Sequence, residues 1–395
     1  MRYQIALSAV LNGVGALAPQ IVALLSLGNV AFGQFSVGYL AFSLASSMLL
    51  SILCDSWVIV PPEQRSGGWS AYSRLLTTIS IVFGLLCGII GLLFVDIAFG
   101  LATAACVLLA TYRAGTRYLL FVWRRWREAI FSDSLVIAAT LGVFFASSAL
   151  FGPSTWTVMA AWGGGSLAGS LVIGLPRFGP LVAMRWVREN GRTIGPLVAD
   201  AALMDVSAIG TPYLLLPQLG YGGFGLYRAI SNLAAPLRLL LTPLRPLILA
   251  APRRSLAWRF TVMIFAIGLC GGAAMAGVLF GLMHSGLTLG MLTGLGPFWF
   301  SAGLYGLATL LLIYYSMLCR AFGQPRVLLS GRVTQTILGV FGPTLGFLLG
   351  DVPGAILGFA VASLASGFAW IFLAFYAARR SRRLIREESA AGERS

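Results

Sequence analysis

From residue 4 to residue 377 the sequence is a succession of apolar segments, each about twenty residues or longer, separated by short polar joins. They fall at 4–25, 33–59, 75–95, 98–121, 130–151 and 155–174, then at 197–217, 222–250, 259–282, 295–318, 328–349 and 353–377. A helix needs about 20 apolar residues to cross a bilayer core. In lipid every backbone N–H and C=O has to be satisfied within the segment, so such runs form helices. The chain therefore reads as an all-α polytopic membrane protein of about twelve transmembrane helices. Charged residues make up 10% of it, against about 25% in a soluble domain. The first run follows Arg2 and exceeds the ~7–15 residues of a signal-peptide core, so it is read as the first span.

The charges orient these spans. All 27 basic residues are arginine. With the N-terminus cytoplasmic, the inner loops hold Arg65 and Arg74, then Arg124, Arg125 and Arg127, then Arg177, Arg185, Arg188 and Arg192. Arg253 and Arg254 follow, then Arg320 and Arg326, and five more arginines from Arg379 to Arg386. The outer loops hold none, as the positive-inside rule requires, so both termini are expected in the cytoplasm of a cell with a plasma or inner membrane. The net charge of +15 is thus a membrane signal, directed at anionic lipid head groups at the inner loops and not at nucleic acid. Arg113 and Arg117, in the inner half of the fourth span, are expected to snorkel to the surface. Asp133 reads as a charge at a helix N-terminus.

The expected domains are a six-helix bundle over 1–176, an interfacial linker helix over 177–195, a second six-helix bundle over 196–378 and a cytoplasmic tail over 379–395. In the linker, Leu181, Val182, Met184, Trp186 and Val187 interleave with Arg185, Arg188 and Arg192, a pattern for lying at the membrane surface. The bundles echo each other. LGNVAFGQFS at 27–36 answers LGYGGFGLYR at 219–228, with Leu27, Gly28, Phe32 and Gly33 matching Leu219, Gly220, Phe224 and Gly225. Two halves of even span count share one topology and are expected to be related by an axis along the membrane normal.

The halves differ in charge. Arg228 and Arg238 stand where the first half has Ser36 and Ser46, and Arg245 follows. At about 100° per residue the three arginines fall within an arc of roughly 100°. A charge at mid-bilayer depth costs about 2.5–3.5 kcal/mol, so this face is expected to meet an anion or a watery cavity.

The LG…FGxY turn, followed by a helix of repeated leucines and prolines, resembles the polysaccharide (O-antigen type) flippases of the multidrug/oligosaccharidyl-lipid/polysaccharide exporter superfamily. The resemblance implies a V-shaped cavity lined by 4–25, 33–59, 197–217 and 222–250. It also implies an undecaprenyl-diphosphate-linked sugar moved from the inner to the outer leaflet, with a polysaccharide polymerase and glycosyltransferases as partners.

Arg238, Arg228 and Arg245 are the expected substrate contacts, because a guanidinium fork matches phosphate oxygens. Asn12 and Gln20 are expected to hydrogen-bond sugar hydroxyls, or alternatively to bridge helices. Asp205, Asp200 and Asp55 are expected to balance the arginines or to carry coupling protons. Asp200 and Asp205 lie about 140° apart on one helix and do not share a face. No metal or cofactor is expected: the five cysteines form no CxxC pair and His284 is the single histidine.

Two further readings stand beside the flippase. A small-molecule or drug antiporter of the same superfamily is one, although a cation exporter calls for a more acidic cavity. A polytopic glycosyl- or acyltransferase is the other, although the outer loops offer only Asp96, Asp351 and His284, each alone.

Overall fold

The computed structural model describes residues 2–60, 68–172, 174, 176–205, 210–241, 248, 252–322 and 325–392. Among them all regular structure is helical. The helices are α1 (Arg2–Ser26), α2 (Asn29–Leu49), α3 (Ser56–Ile59), α4 (Gly68–Phe94), α5 (Ile97–Val122), α6 (Trp126–Phe151) and α7 (Thr155–Ser170). Then come α8 (Pro180–Glu189), α9 (Gly191–Asp205), α10 (Thr211–Leu233), α11 (Ala235–Leu241), α12 (Pro252–Ser255) and α13 (Trp258–Ser285). The chain closes with α14 (Gly290–Leu295), α15 (Trp299–Ala321) and α16 (Pro325–Gly392). Eight described helical stretches are long and apolar enough to cross a bilayer. The last is two helices joined across a break at Gly350 and Asp351. The protein is an all-α, multi-pass membrane protein, with a span count close to the expected twelve.

Short caps hold the hairpins closed. The Asp96 carboxylate accepts from Phe99 N–H at 2.7 Å at the start of α5. Ser154 and Thr157 form a reciprocal capping box at the start of α7. Between α2 and α3 the chain winds as a π-helical turn, Leu50–Asp55.

The repeat falls at matching places, with one adjustment. The break between the first and second helix lies at Gly28 in one half and at Gly220 in the other. Gly220 takes φ 62°, a left-handed value that glycine adopts without a Cβ penalty. Gly33 and Gly225 sit inside the helices that follow, not in the turns themselves.

Packing divides the chain into two compact units, residues 1–213 and 214–395. In the first, α4 packs on α5, α6 on α7, and α1 on α6. The amphipathic helix α8 buries Ala183 and Trp186, with Trp186 5.0 Å from the Trp57 ring, and leaves Leu181 and Met184 exposed. The sequence places α9 at the head of the second bundle; it packs on the π-helical turn, α2 and α3, inside the first unit. In the second unit a core of Leu310, Leu311, Tyr314, Tyr315 and Trp370 joins α15 to α16. The two arms of α16 approach backbone to backbone where Gly342 and Gly346 face Gly354 and Gly358, a contact that small residues alone allow. Leu85, Leu93, Phe145 and Phe372 are exposed, as helices bathed in lipid tails require.

Of the five cysteines, Cys54, Cys87, Cys106 and Cys319 are buried small hydrophobes, while Cys270 is exposed on α13.

Candidate functional site

Inside the first unit lies a cavity of about 470 Å³, walled by α1, α2, the π-helical turn, α5, α6 and α7. The helix α5 sets its polar side. Arg113 and Arg117 are four residues apart and so share a face. Both reach one carboxylate, Asp133 on α6. The Arg113 Nη2 donates to Oδ1 at 2.6 Å, and Arg117 Nε donates to both oxygens at 3.0 Å. Ser8 on α1 completes the cluster. Its hydroxyl donates to Asp133 at 3.4 Å, and its carbonyl accepts from Arg117 Nη2 at 3.1 Å. The Arg117 guanidinium also lies 4.4 Å above the Phe121 ring.

This overturns two expectations. Arg113 and Arg117 do not snorkel to the surface; Arg113 is 8% exposed and the pair meets an anion inside the bundle. Asp133 is not a charge at a helix N-terminus; it is the eighth residue of α6, fully buried and shared by both arginines. Paired and hydrogen-bonded burial is the condition under which charges persist in an apolar interior. A signal for the pairing was present. The join between α5 and α6 is only Trp123 to Arg125, so the two helices form an antiparallel hairpin. In such a hairpin residues equally far from the turn lie at equal depth, which places Asp133 between Arg113 and Arg117.

Aromatic rings also line the cavity. The Trp162 ring on α7 lies 5.4 Å from Tyr39 and 5.3 Å from Phe42, both on α2. The Tyr39 hydroxyl donates to the Ala16 carbonyl of α1 at 2.9 Å, which fixes its ring. Asp55, at the end of the π-helical turn, lines the cavity and accepts from the Tyr118 hydroxyl at 2.8 Å. Single π-turns within helices are frequent at functional sites.

The residues expected from sequence separate into three groups. Asn12 and Asp55 line this cavity. Gln20, partly buried, lies two turns further along α1, and Arg228, also partly buried, lies on α10 in the second unit. Asp205, at the end of α9, has its Oδ2 buried without a hydrogen-bond partner among the described residues. The side chains of Arg238 and Asp200, and all of Arg245, lie outside the described residues.

The chain as a whole superposes on known transporters. Lipid II flippase MurJ in an inward closed conformation matches with TM-score 0.68 over 94% of this chain and 86% of that one, at 11% identity. The fold is the one these transporters share. An outward-facing multidrug resistance MATE family transporter of the MOP superfamily matches with TM-score 0.57 over 97% of this chain and 96% of that one, at 12% identity. The eukaryotic MATE transporter AtDTX14 matches with TM-score 0.51 over 96% and 97%, at 13% identity. No protein-family profile and no curated protein matches the sequence. At these identities the likeness is one of fold, and the cavity chemistry has to be argued from this chain's own residues.

Proposed function

We propose that this protein is a flippase, not an enzyme, that carries a polyprenyl-diphosphate-linked oligosaccharide from the cytoplasmic to the outer leaflet by alternating access, for cell-surface polysaccharide synthesis. The observation that carries the reading is the pair of arginines on α5 sharing one carboxylate beside a cavity within the first unit. With Asp55 lining the same cavity, two arginines balance two carboxylates, so the cavity is not the acidic one that an organic-cation exporter calls for. MurJ, whose fold this chain matches at TM-score 0.68, is itself a lipid II flippase, which supports the same cargo class.

In this reading Arg238, Arg228 and Arg245 bind the diphosphate, and Asn12 and Gln20 meet sugar hydroxyls. The internal repeat supports the placing of Arg238: its counterpart Ser46 lines the cavity of the first unit. Asp205, Asp200 and Asp55 balance these charges or carry the coupling protons. The membrane is the inner or plasma membrane with both termini cytoplasmic. Anionic lipids meet the inner loops, and the polymerase and glycosyltransferases of the same polysaccharide are the partners.

The test is transport by the purified protein in liposomes, read as the movement of a radiolabelled polyprenyl-diphosphate oligosaccharide to the far leaflet. Protein-dependent movement supports the proposal. Export of organic cations with no movement of the lipid-linked sugar replaces it with the drug antiporter.

A further inference from the structure

The join between α5 and α6 holds a cluster that the transport reading leaves without a task. Trp123 closes α5, and Arg124 and Arg125 turn the chain into α6. Arg125 N–H donates to the Leu120 carbonyl at 2.9 Å, and Arg124 N–H donates to the Phe121 carbonyl at 3.0 Å. These two bonds close a helix end whose next residue is left-handed, a place that glycine usually takes. Arg124 occupies it with φ 59°. A Cβ is unfavourable there, so arginine at 124 serves something other than the turn.

The turn borders a hollow of about 270 Å³, lined by Gln4 of α1 and by Arg124, Arg125, Trp126, Arg127 and Glu128. Arg125 Nε donates to Glu128 at 2.6 Å, and this ion pair cancels one charge of each sign. Arg124 and Arg127 are exposed and meet no carboxylate among the described residues. Two positive charges therefore remain in one small hollow.

We propose that this hollow docks the diphosphate of the lipid-linked cargo at the inner leaflet, before the cargo enters the bundle. The proposal rests on the flippase reading and on the cytoplasmic placing of this join, and it adds a second diphosphate site.

Charge and lining favour a diphosphate over the phosphodiester of an ordinary membrane lipid. A diphosphate carries two or more negative charges, which Arg124 and Arg127 match, whereas a phosphodiester carries one. Trp126 apart, every lining side chain ends in a polar or charged group, and guanidinium forks match phosphate oxygens.

Position connects the hollow to the cavity of the first unit. Arg124, Phe121, Arg117 and Arg113 share one face of α5, within an arc of about 80° at about 100° per residue. On α1, Gln4, Ser8 and Asn12 recur every four residues and share a face as well. Gln4 lines the hollow, the Ser8 carbonyl accepts from Arg117 at 3.1 Å, and Asn12 lines the cavity. The hollow thus lies at one end of a polar strip whose other end is the cavity wall.

The experiment uses the full chain in nanodiscs of phosphatidylcholine, which carries no net charge. Calorimetry reads the affinity for two short-chain probes, citronellyl diphosphate and dihexanoyl phosphatidylglycerol. Arg238→Ala is the background, which takes out the main contact proposed for the second half. That protein should still bind citronellyl diphosphate, about tenfold or more tightly than phosphatidylglycerol, as one added charge-assisted hydrogen bond gives. Adding Arg124→Gly should weaken this binding about tenfold or more while thermal stability holds or rises, because glycine suits the left-handed turn. A structural role for Arg124 would lower stability as well. Should Arg124→Gly fail to fold, Arg127→Gln, on an exposed residue, repeats the test. Unchanged affinity in these variants, or no binding once Arg238 is removed, overturns the docking site and leaves the flippase reading intact. Equal affinity for the two probes makes the hollow a phospholipid headgroup site and also overturns the proposal. No binding of citronellyl diphosphate by the wild type overturns both.

Discussion

The Arg113 guanidinium donates to Asp133 at 2.6 Å across the α5–α6 hairpin, and the carboxylate it meets has no exposure to solvent. Arg117 shares that carboxylate, so one buried anion holds two cations. Removing Asp133 therefore leaves like charges side by side in the bundle. Asp133→Asn should cost about 3–5 kcal/mol, as the breaking of buried pairs does elsewhere. Arg113→Gln should cost less, because Arg117 and Ser8 still satisfy the carboxylate. Thermal unfolding of the detergent-purified variants measures the order, and an Asp133→Asn protein as stable as wild type refutes it.

The glycine contact within α16 is a test of packing alone. A Cβ at Gly346 would meet the Gly354 carbonyl, whereas one at Gly339 in the same arm meets nothing within 4 Å. Gly346→Ala should lower thermal stability by about 1–3 kcal/mol, the usual cost of overpacking. Gly339→Ala should be neutral or slightly stabilising, because alanine is the better helix former. Equal behaviour of the two variants would mean that the arms do not approach as described.

Topology follows from arginine placement. Cysteines introduced singly near Gly152, Gly220 and Gly350 should react with an impermeant reagent added outside the cell, and cysteines replacing Arg125 or Arg188 should not. Labelling of the last two from outside would invert the orientation.

The second-half arginines are tested by transport. Arg238→Ala should abolish translocation of a labelled lipid-linked sugar with folding largely intact. Arg238→Lys, which keeps the charge and loses the fork, should slow it. If Arg238 were instead the structural partner of Asp205, Arg238→Ala would lose yield, and the double change with Asp205→Ala would restore both yield and activity. Full transport by Arg238→Ala removes this face from the binding site.

The sequence by itself determined that the chain is helical, spans a membrane many times and carries an internal repeat. Those properties follow from local rules. Apolar runs of bilayer length have one way to satisfy their backbone, and the match of 27–36 to 219–228 is visible residue by residue. The sequence also drew attention to Asn12 and Asp55, because a polar residue in an apolar run stands out wherever it points.

Tertiary structure alone decided what those polar groups meet. Arg113, Arg117 and Asp133 are legible as charges in or beside spans, but snorkelling, helix capping and ion pairing are alike in one dimension. The hairpin that sets α5 against α6 chose pairing. The aromatic lining of Tyr39, Phe42 and Trp162 was not legible at all. In an apolar chain an aromatic residue is the ordinary filling of a lipid face or a core, and only the packing of α2 against α7 turns these three toward one cavity. The physical reason is common to both cases. Backbone hydrogen bonding in lipid is settled within each segment, whereas charge pairing and cavity shape are settled between segments, by residues far apart in the chain.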